Sequence, residues 1–265
     1  MKHDTNTIAQ NRYTSHRRMA CNTSAYLYRS GITMNEFKHE NITLLKCDCM
    51  EYMATIADNY FELAIVDPPY GEGDLSKFTP RAKGSTKNII HESKNWNNES
   101  PTKKYFDELF RVSKNQIIWG ANHYPQFLTS SRGWIFWDKI YENTFNFSAG
   151  ELAYTSFDRI LKMHRLSQRW VHNTPLNIHP CQKPIKLYEW LLTNYAKQGD
   201  KILDTHLGSA SSAISANNLG FEFVGMELDK DYYDASVERF EKHISQAKLF
   251  DFPVQEKQLN QAVIF

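Results

Sequence analysis

The stretch LAIVDPPYGEG at residues 63–73 runs an apolar segment straight into a carboxylate, two prolines and an aromatic ring. Asp67 and the carbonyl of Pro68 are two hydrogen-bond acceptors on a backbone that Pro68 and Pro69 make stiff. An exocyclic amine offers two N–H groups, so this pair could hold both while the ring of Tyr70 stacks on the heterocycle carrying them. A second stretch, KILDTHLGSAS followed by FEFVGME, ends one strand in Asp204, turns at Gly208 and ends the next strand in Glu227. A glycine turn lets backbone approach a bound molecule, and a carboxylate at a strand end can accept both hydroxyls of a ribose. The plainer alternative is a capped turn and a solvated strand end. Neither G-x-G-x-x-G nor G-x-x-x-x-G-K-[ST] is present, so a pyrophosphate or P-loop nucleotide is poorly supported. A nucleoside cofactor without phosphates remains, and S-adenosylmethionine fits that description.

Short apolar runs alternate with helical patterns and would position these residues. Strands are predicted at 42–45, 63–66, 116–120, 134–137, 151–157, 201–204 and 221–227. Several are nearly continuous in apolar side chains, which suits a sheet covered on both faces. Ser100 before Pro101 reads as the start of a helix whose inward face is Tyr105, Phe106, Leu109 and Phe110. Ile185, Tyr188, Leu192 and Tyr195 recur at helical spacing after Pro184, and Gly199 with Asp200 ends that run. Tyr233, Val237, Phe240 and Ile244 repeat the pattern near the carboxyl end. The alternation predicts an open α/β sheet with its ligand crevice beyond the strand carboxyl ends.

The chain has 265 residues, enough for one substantial core, with 31 Lys plus Arg against 30 Asp plus Glu. No bulk positive field exists, so any nucleic-acid contact must use local charge. Four cysteines and no secretory leader point to a reducing compartment, and Cys47-Asp48-Cys49 lacks the second cysteine pair of a structural zinc site. No run approaches the roughly 20 apolar residues of a membrane span. Residues 1–33 read as a mobile arm, 34–250 as the catalytic domain and 251–265 as a tail. Within the domain, 71–99 is a long polar loop of the kind that usually has a job. Residues 158–178 gather Arg159, Lys162, His164, Arg165, Arg169 and His172 around Trp170, a basic patch that net charge hides.

These motifs together strongly resemble the amino-group DNA methyltransferases, which methylate adenine N6 or cytosine N4. DPPY (67–70) stands as their catalytic motif, ILDTHLGSAS (202–211) looks like their cofactor motif, and HPCQKP (179–184) matches their His-Pro, Lys-Pro element. The catalytic motif comes first, an order that resembles the circularly permuted beta class, and the likeness covers about residues 40–245. It implies the seven-stranded S-adenosylmethionine-dependent fold, mostly parallel with one antiparallel strand near its edge. Asp67, Pro68, Pro69 and Tyr70 would handle the target base. Asp204 and Gly208 would border the methionine moiety, with Thr205 and Ser209 of the same motif in the cofactor set and Glu227 on the ribose. Asp48 looks like the acid that meets the cofactor adenine, and His179 and Lys183 would lie near the cofactor's amino-acid end. One departure stands out: Ala210 occupies a place where the family commonly has glycine.

The resemblance further implies double-stranded DNA as substrate, with the target nucleotide swung out of the helix. The segment 158–178 sits where the beta class inserts its target-recognition segment. Lys162, Arg165 and Arg169 there, with Arg81 and Lys83 in the 71–99 loop, are the candidate DNA contacts; solvated charges are the alternative for each. DPPY is more typical of adenine N6 enzymes, with cytosine N4, an RNA or protein substrate, and a non-catalytic DNA-binding relative as the rivals. Direct transfer needs no metal and no covalent intermediate, so Cys47, Cys49 and Cys181 need not be nucleophiles. A homodimer and an accompanying restriction endonuclease are open as partners, and the expected setting is the cytoplasm of a bacterium or of a phage-infected host.

Overall fold

A computed structural model describes residues 25–29, 32–71, 73, 99–140, 148–167 and 178–250. Ten strands among them form one sheet: β1 (Ala25–Arg29), β2 (Ile32–His39), β3 (Ile42–Lys46), β4 (Phe61–Val66), β5 (Ser113–Trp119), β6 (Trp134–Asp138), β7 (Gly150–Thr155), β8 (Lys162–Arg165), β9 (Lys201–Asp204) and β10 (Glu222–Glu227). The helices are α1 (Cys49–Ala54), α2 (Lys103–Val112), α3 (Ile185–Tyr195), α4 (Ser211–Leu219) and α5 (Lys230–Phe250). The strand order is β1-β2-β3-β10-β9-β4-β5-β7-β6-β8.

All seven predicted strands are present, with ends shifted by a few residues. Their apolar side chains have cover on both sides. Along β4, Leu63 and Ile65 pack into the core beneath α3, α4 and α5, while Ala64 and Val66 pack beneath α1 and α2. The sheet exceeds the expected seven because β1 and β2 extend it past β3 and β8 extends it past β6. Pairing directions leave β2 and β7 running against the other eight strands, where one antiparallel strand was expected. The expected arm of residues 1–33 also gives up its last part. Ala25–Arg29 is rich in tyrosine, which favours strands, and pairs antiparallel with β2 across a two-residue connection. Residues 1–24 and the tail 251–265 lie outside the described residues.

β4 leads through α2 to β5 on one side, whereas β9 leads through α4 to β10 on the other. The two are neighbours, Leu63 opposite Ile202 and Ala64 opposite Leu203. Strand order therefore reverses between them, and their carboxyl ends flank the crevice where open α/β sheets bind ligands. Asp67 follows one of those ends and Asp204 closes the other.

Helix α2 buries Tyr105, Phe106, Leu109 and Val112 along one stripe. Its N-cap is Thr102, which makes no side-chain cap bond, so the expected cap at Ser100 is corrected. Ser100 Oγ instead donates to the Tyr70 carbonyl at 3.0 Å and ties down the end of DPPY. Gly71 accommodates that contact: at φ +75° it adopts a conformation that favours glycine, and a Cβ there would lie 2.5 Å from Ser100 Oγ. Among the described residues no helix is long and apolar enough to cross a membrane.

Candidate active site

Asp67 is held from two directions. Tyr70 Oη donates to its Oδ1 at 2.7 Å, and Lys183 Nζ donates to its Oδ2. Tyr124 Oη lies 3.1 Å from the Pro68 carbonyl and 3.4 Å from that of Trp119; with one proton to give, it favours the nearer. Both acceptors singled out in the sequence are thus in place, each engaged by a tyrosine hydroxyl. The Tyr70 ring stacks on His123, centroids 4.7 Å apart and planes 12° from parallel. It lies against Gly120, where a Cβ would come within 2.1 Å of it. Burial, then the Asp67 carboxylate, pushes the Tyr70 hydroxyl well above the usual phenol range, so it remains a donor.

The cofactor motif folds as a tight turn between β9 and α4. Asp204 is buried and accepts from Ser212 Oγ at 2.6 Å and from the His206 amide at 3.0 Å. Burial outweighs these bonds and raises its carboxyl to about 6, with the charge of Asp67 adding to the rise. Glu227 accepts from the Gly208 amide at 2.9 Å through Oε2 and from the Asp229 amide at 2.9 Å through Oε1; burial still raises it to about 7. Thr205 Oγ1 lies 2.7 Å from Tyr105 Oη and 2.9 Å from His206 Nδ1, and burial holds His206 down to about 4, hence neutral. Gly208 turns at φ +52°, and the nearest atoms a side chain there would meet belong to the His179 ring, at 3.8 Å. Ser209 is buried, its carbonyl taken by Arg239 from α5.

Ala210, the departure from the resemblance's usual glycine, sits at φ +59° in the left-handed region and is the N-cap of α4. It is 0 % exposed and packs within the core cluster of α3 to α5, so its methyl does not project into an open crevice. Glycine suits this place chiefly because of the backbone conformation.

Most sequence-singled residues converge. Asp67, Pro68, Pro69 and Tyr70 border the switch point with Asp204, Thr205, Gly208, Ser209 and Glu227, and His179 neighbours Gly208. Asp48 follows β3 beyond Glu227 and caps α1, its Oδ1 accepting from the Met50 amide at 2.7 Å. Lys183, expected near the cofactor's amino-acid end, reaches the Asp67 carboxylate. Of the candidate DNA contacts, Lys162 and Arg165 lie exposed on β8, with Arg165 Nε 2.8 Å from Asp138 Oδ2 at the crevice end of the sheet. Arg159 is drawn to the fold, its guanidinium over the rings of Phe157 and Tyr195, and His164 stacks on Trp190. Arg81, Lys83 and Arg169 lie outside the described residues, with nearly all of 71–99 and the second half of 158–178.

Sequence reasoning passed over His123, Tyr124, Lys139 and Glu151. The first two lie in GANHYP, which opens on a left-handed glycine directly after β5, a pattern that does mark a close backbone approach. Lys139 and Glu151 carry no local signal.

Residues 78–238, more than half of the chain, match the family model described as DNA methylase. The match takes in HPCQKP and the cofactor turn and begins after DPPY. A type II methyltransferase of Streptococcus pneumoniae, M2.DpnII, is 38% identical over 63 residues, 24% of this chain and 24% of that protein. The Lactococcus lactis subsp. cremoris type II methyltransferase M2.LlaDCHI is 32% identical over 76 residues, 29% of this chain and 26% of that protein. The alignments thus span about a quarter of these relatives' length. The PvuII DNA methyltransferase (cytosine-N4-specific) shares the fold at 12% identity, with a TM-score of 0.51 over 80% of this chain and 94% of its own. With a site joining a DPPY turn to a glycine turn at one switch point, and a family match over most of its length, the chain belongs to the N6/N4 amino-group DNA methylases.

Proposed function

We propose that this chain methylates the exocyclic amine of a base in DNA, adenine N6 in first place, at the crevice between β4 and β9. The observation that carries this reading is the convergence of two motifs more than 130 residues apart: Asp67 and Asp204 stand on adjacent strand ends, close enough that one charge raises the other's pKa. The pocket suits S-adenosylmethionine. Glu227 has unused lone pairs for two ribose hydroxyls, Gly208 leaves room for a ligand beside His179, and no glycine fingerprint calls for phosphates. When bound, that cofactor supplies a methyl group activated by a sulfonium.

The protein's part is to present the nitrogen. A base amine is a poor nucleophile because its lone pair is shared with the ring. Acceptance of its two N–H bonds by Asp67 and the Pro68 carbonyl favours a pyramidal nitrogen and stabilises the positive charge that grows on it. Asp67 or solvent then takes the proton. In a duplex the amine is inside the stack, so the nucleotide must swing out at a cost of a few kcal/mol, and Tyr70 with His123 offers a flat surface to receive it. Lys162 and Arg165 would hold the DNA backbone, joined by Arg81, Lys83 and Arg169. The preference for adenine rests on DPPY; the acceptor geometry would take either amine.

Labelled methyl transfer to unmethylated DNA tests the reading, with wild type beside Asp67→Ala. Wild type should transfer, and the variant should lose at least about a thousandfold while still binding cofactor in calorimetry. Unchanged activity in Asp67→Ala would refute the assigned role. Digestion of the product to nucleosides should yield N6-methyladenine, whereas N4-methylcytosine would overturn the choice of base.

A further inference from the structure

Four charges, two buried ammoniums and two part-buried carboxylates, alternate in a chain that ends on the catalytic motif. Lys139 Nζ, just past β6, is 2.5 Å from Glu151 Oε1 on β7. Lys183 Nζ approaches Glu151 Oε2 at 3.0 Å, as an ion pair outside aligned hydrogen-bond geometry, and the same ammonium bonds Asp67 Oδ2. Lys183 is 4% exposed and Lys139 8%, and the Lys183 ammonium also lies 5.4 Å from the centre of the Trp119 ring. Removing such groups from water costs several kcal/mol per ion, and a well-packed apolar replacement is often as stable. Stability therefore does not explain the chain, whereas its end point on Asp67 suggests a part in the reaction.

We propose that Glu151 is a positioning residue for methyl transfer: as counter-ion to Lys183, it lets that ammonium fix Asp67 Oδ2 without leaving net positive charge beside a nitrogen that becomes positive. This rests on the reading of Asp67 given above. Asp67, Lys183, Glu151 and Lys139 sum to zero charge. Burial would raise the Glu151 carboxyl, but the ammoniums of Lys183 and Lys139 outweigh it and hold it down to about 2, so Glu151 itself stays charged across the working pH range. Loss of the Glu151 charge leaves two ammoniums facing one carboxylate. The surplus opposes charge growth on the nitrogen, whereas loss of Lys139 together with Glu151 restores neutrality.

Single-turnover methyl transfer separates this from a packing role, using Glu151→Gln, Lys139→Met and their double variant, with Asp67→Asn as control. Glu151→Gln should slow transfer about 30-fold by charge–charge interaction at intermediate dielectric, whereas Lys139→Met, which leaves a surplus negative charge, should not slow it more than about twofold. The double variant should recover to within about fivefold of wild type, because it leaves no surplus charge. Multiplied losses in the double variant, or Glu151→Gln within threefold of wild type, would overturn the proposal. If Glu151→Gln does not fold, the double variant carries the comparison, and its failure to fold or a loss above about 30-fold would also overturn it. Wild-type transfer abolished by Asp67→Asn upholds the site reading whatever Glu151 does; a wild type that transfers nothing to DNA removes the site reading and this proposal together.

Discussion

Glu227 shows how one carboxylate can report on its pocket. Its folded pKa, raised to about 7 by burial, means that the folded chain holds a proton the unfolded chain releases near 4.5. Asp204, raised to about 6, acts in the same sense. His206, held down to about 4, acts in the opposite sense, so the effect is read by difference: relative to Glu227→Gln, the unliganded protein should lose stability as pH rises from about 4.5 to about 7, measurable as a falling denaturation midpoint. Ribose hydroxyls donating to Glu227 would favour its charged form, which reverses the sign for binding. Cofactor affinity is expected to rise about tenfold between pH 6 and pH 8, with proton release, and calorimetry in buffers of different ionisation enthalpy would detect it. Affinity independent of pH would place the ribose elsewhere. Asp67 and Glu227 were legible in the sequence because each ends an apolar strand. Lys139 and Glu151 were not, since an ion chain assembled from four segments leaves no local pattern in any of them.

At the scale of elements, two turns carry the site. Ala210→Gly relieves a left-handed alanine, worth about 1 kcal/mol, but gives up a buried methyl of roughly 0.8 kcal/mol and adds unfolded-state freedom of about 0.4–1 kcal/mol. The terms nearly cancel, so stability should stay within about 1 kcal/mol of wild type in chemical denaturation. Cofactor affinity should change less than about threefold, because the methyl faces the core. Gly120→Ala is a different case: at φ +62° its Cβ would overlap the outer atoms of the Tyr70 ring, which can rotate away. The variant should fold yet slow methyl transfer more than about tenfold, since the ring would leave His123; full activity would show that the stack is dispensable. Strands were legible where apolar runs are covered on both faces. β8 was missed because KMHR is mostly exposed and joins the sheet through backbone pairing with β6, β1 because an edge strand shows a weaker apolar signal, and β2 because ITMNEFKH carries few apolar residues although it is paired on both sides.

At the scale of the molecule, 31 basic against 30 acidic residues leave a formal net charge of +1. Affinity for DNA cannot come from a diffuse field and should rest on a few placed cations, so its salt dependence should be shallow, with a log–log slope of about −3 to −5. Arg165→Ala should flatten that slope by about one and weaken binding to all sequences alike, with cofactor affinity unchanged. A parallel loss of cofactor binding would point instead to the Arg165–Asp138 pair as a brace for β6 and β8.

The phenols of Tyr70 and Tyr124 already sit on the two oxygens assigned to the incoming amine. On the proposed reading, the site at rest supplies its own mimic of the substrate, and entry of a base would be an exchange of one donor set for another. A small nucleophile such as water brings no flat ring to compensate the displaced hydroxyls. The sulfonium methyl would thereby be guarded against wasteful hydrolysis by the same side chains that receive the nucleobase.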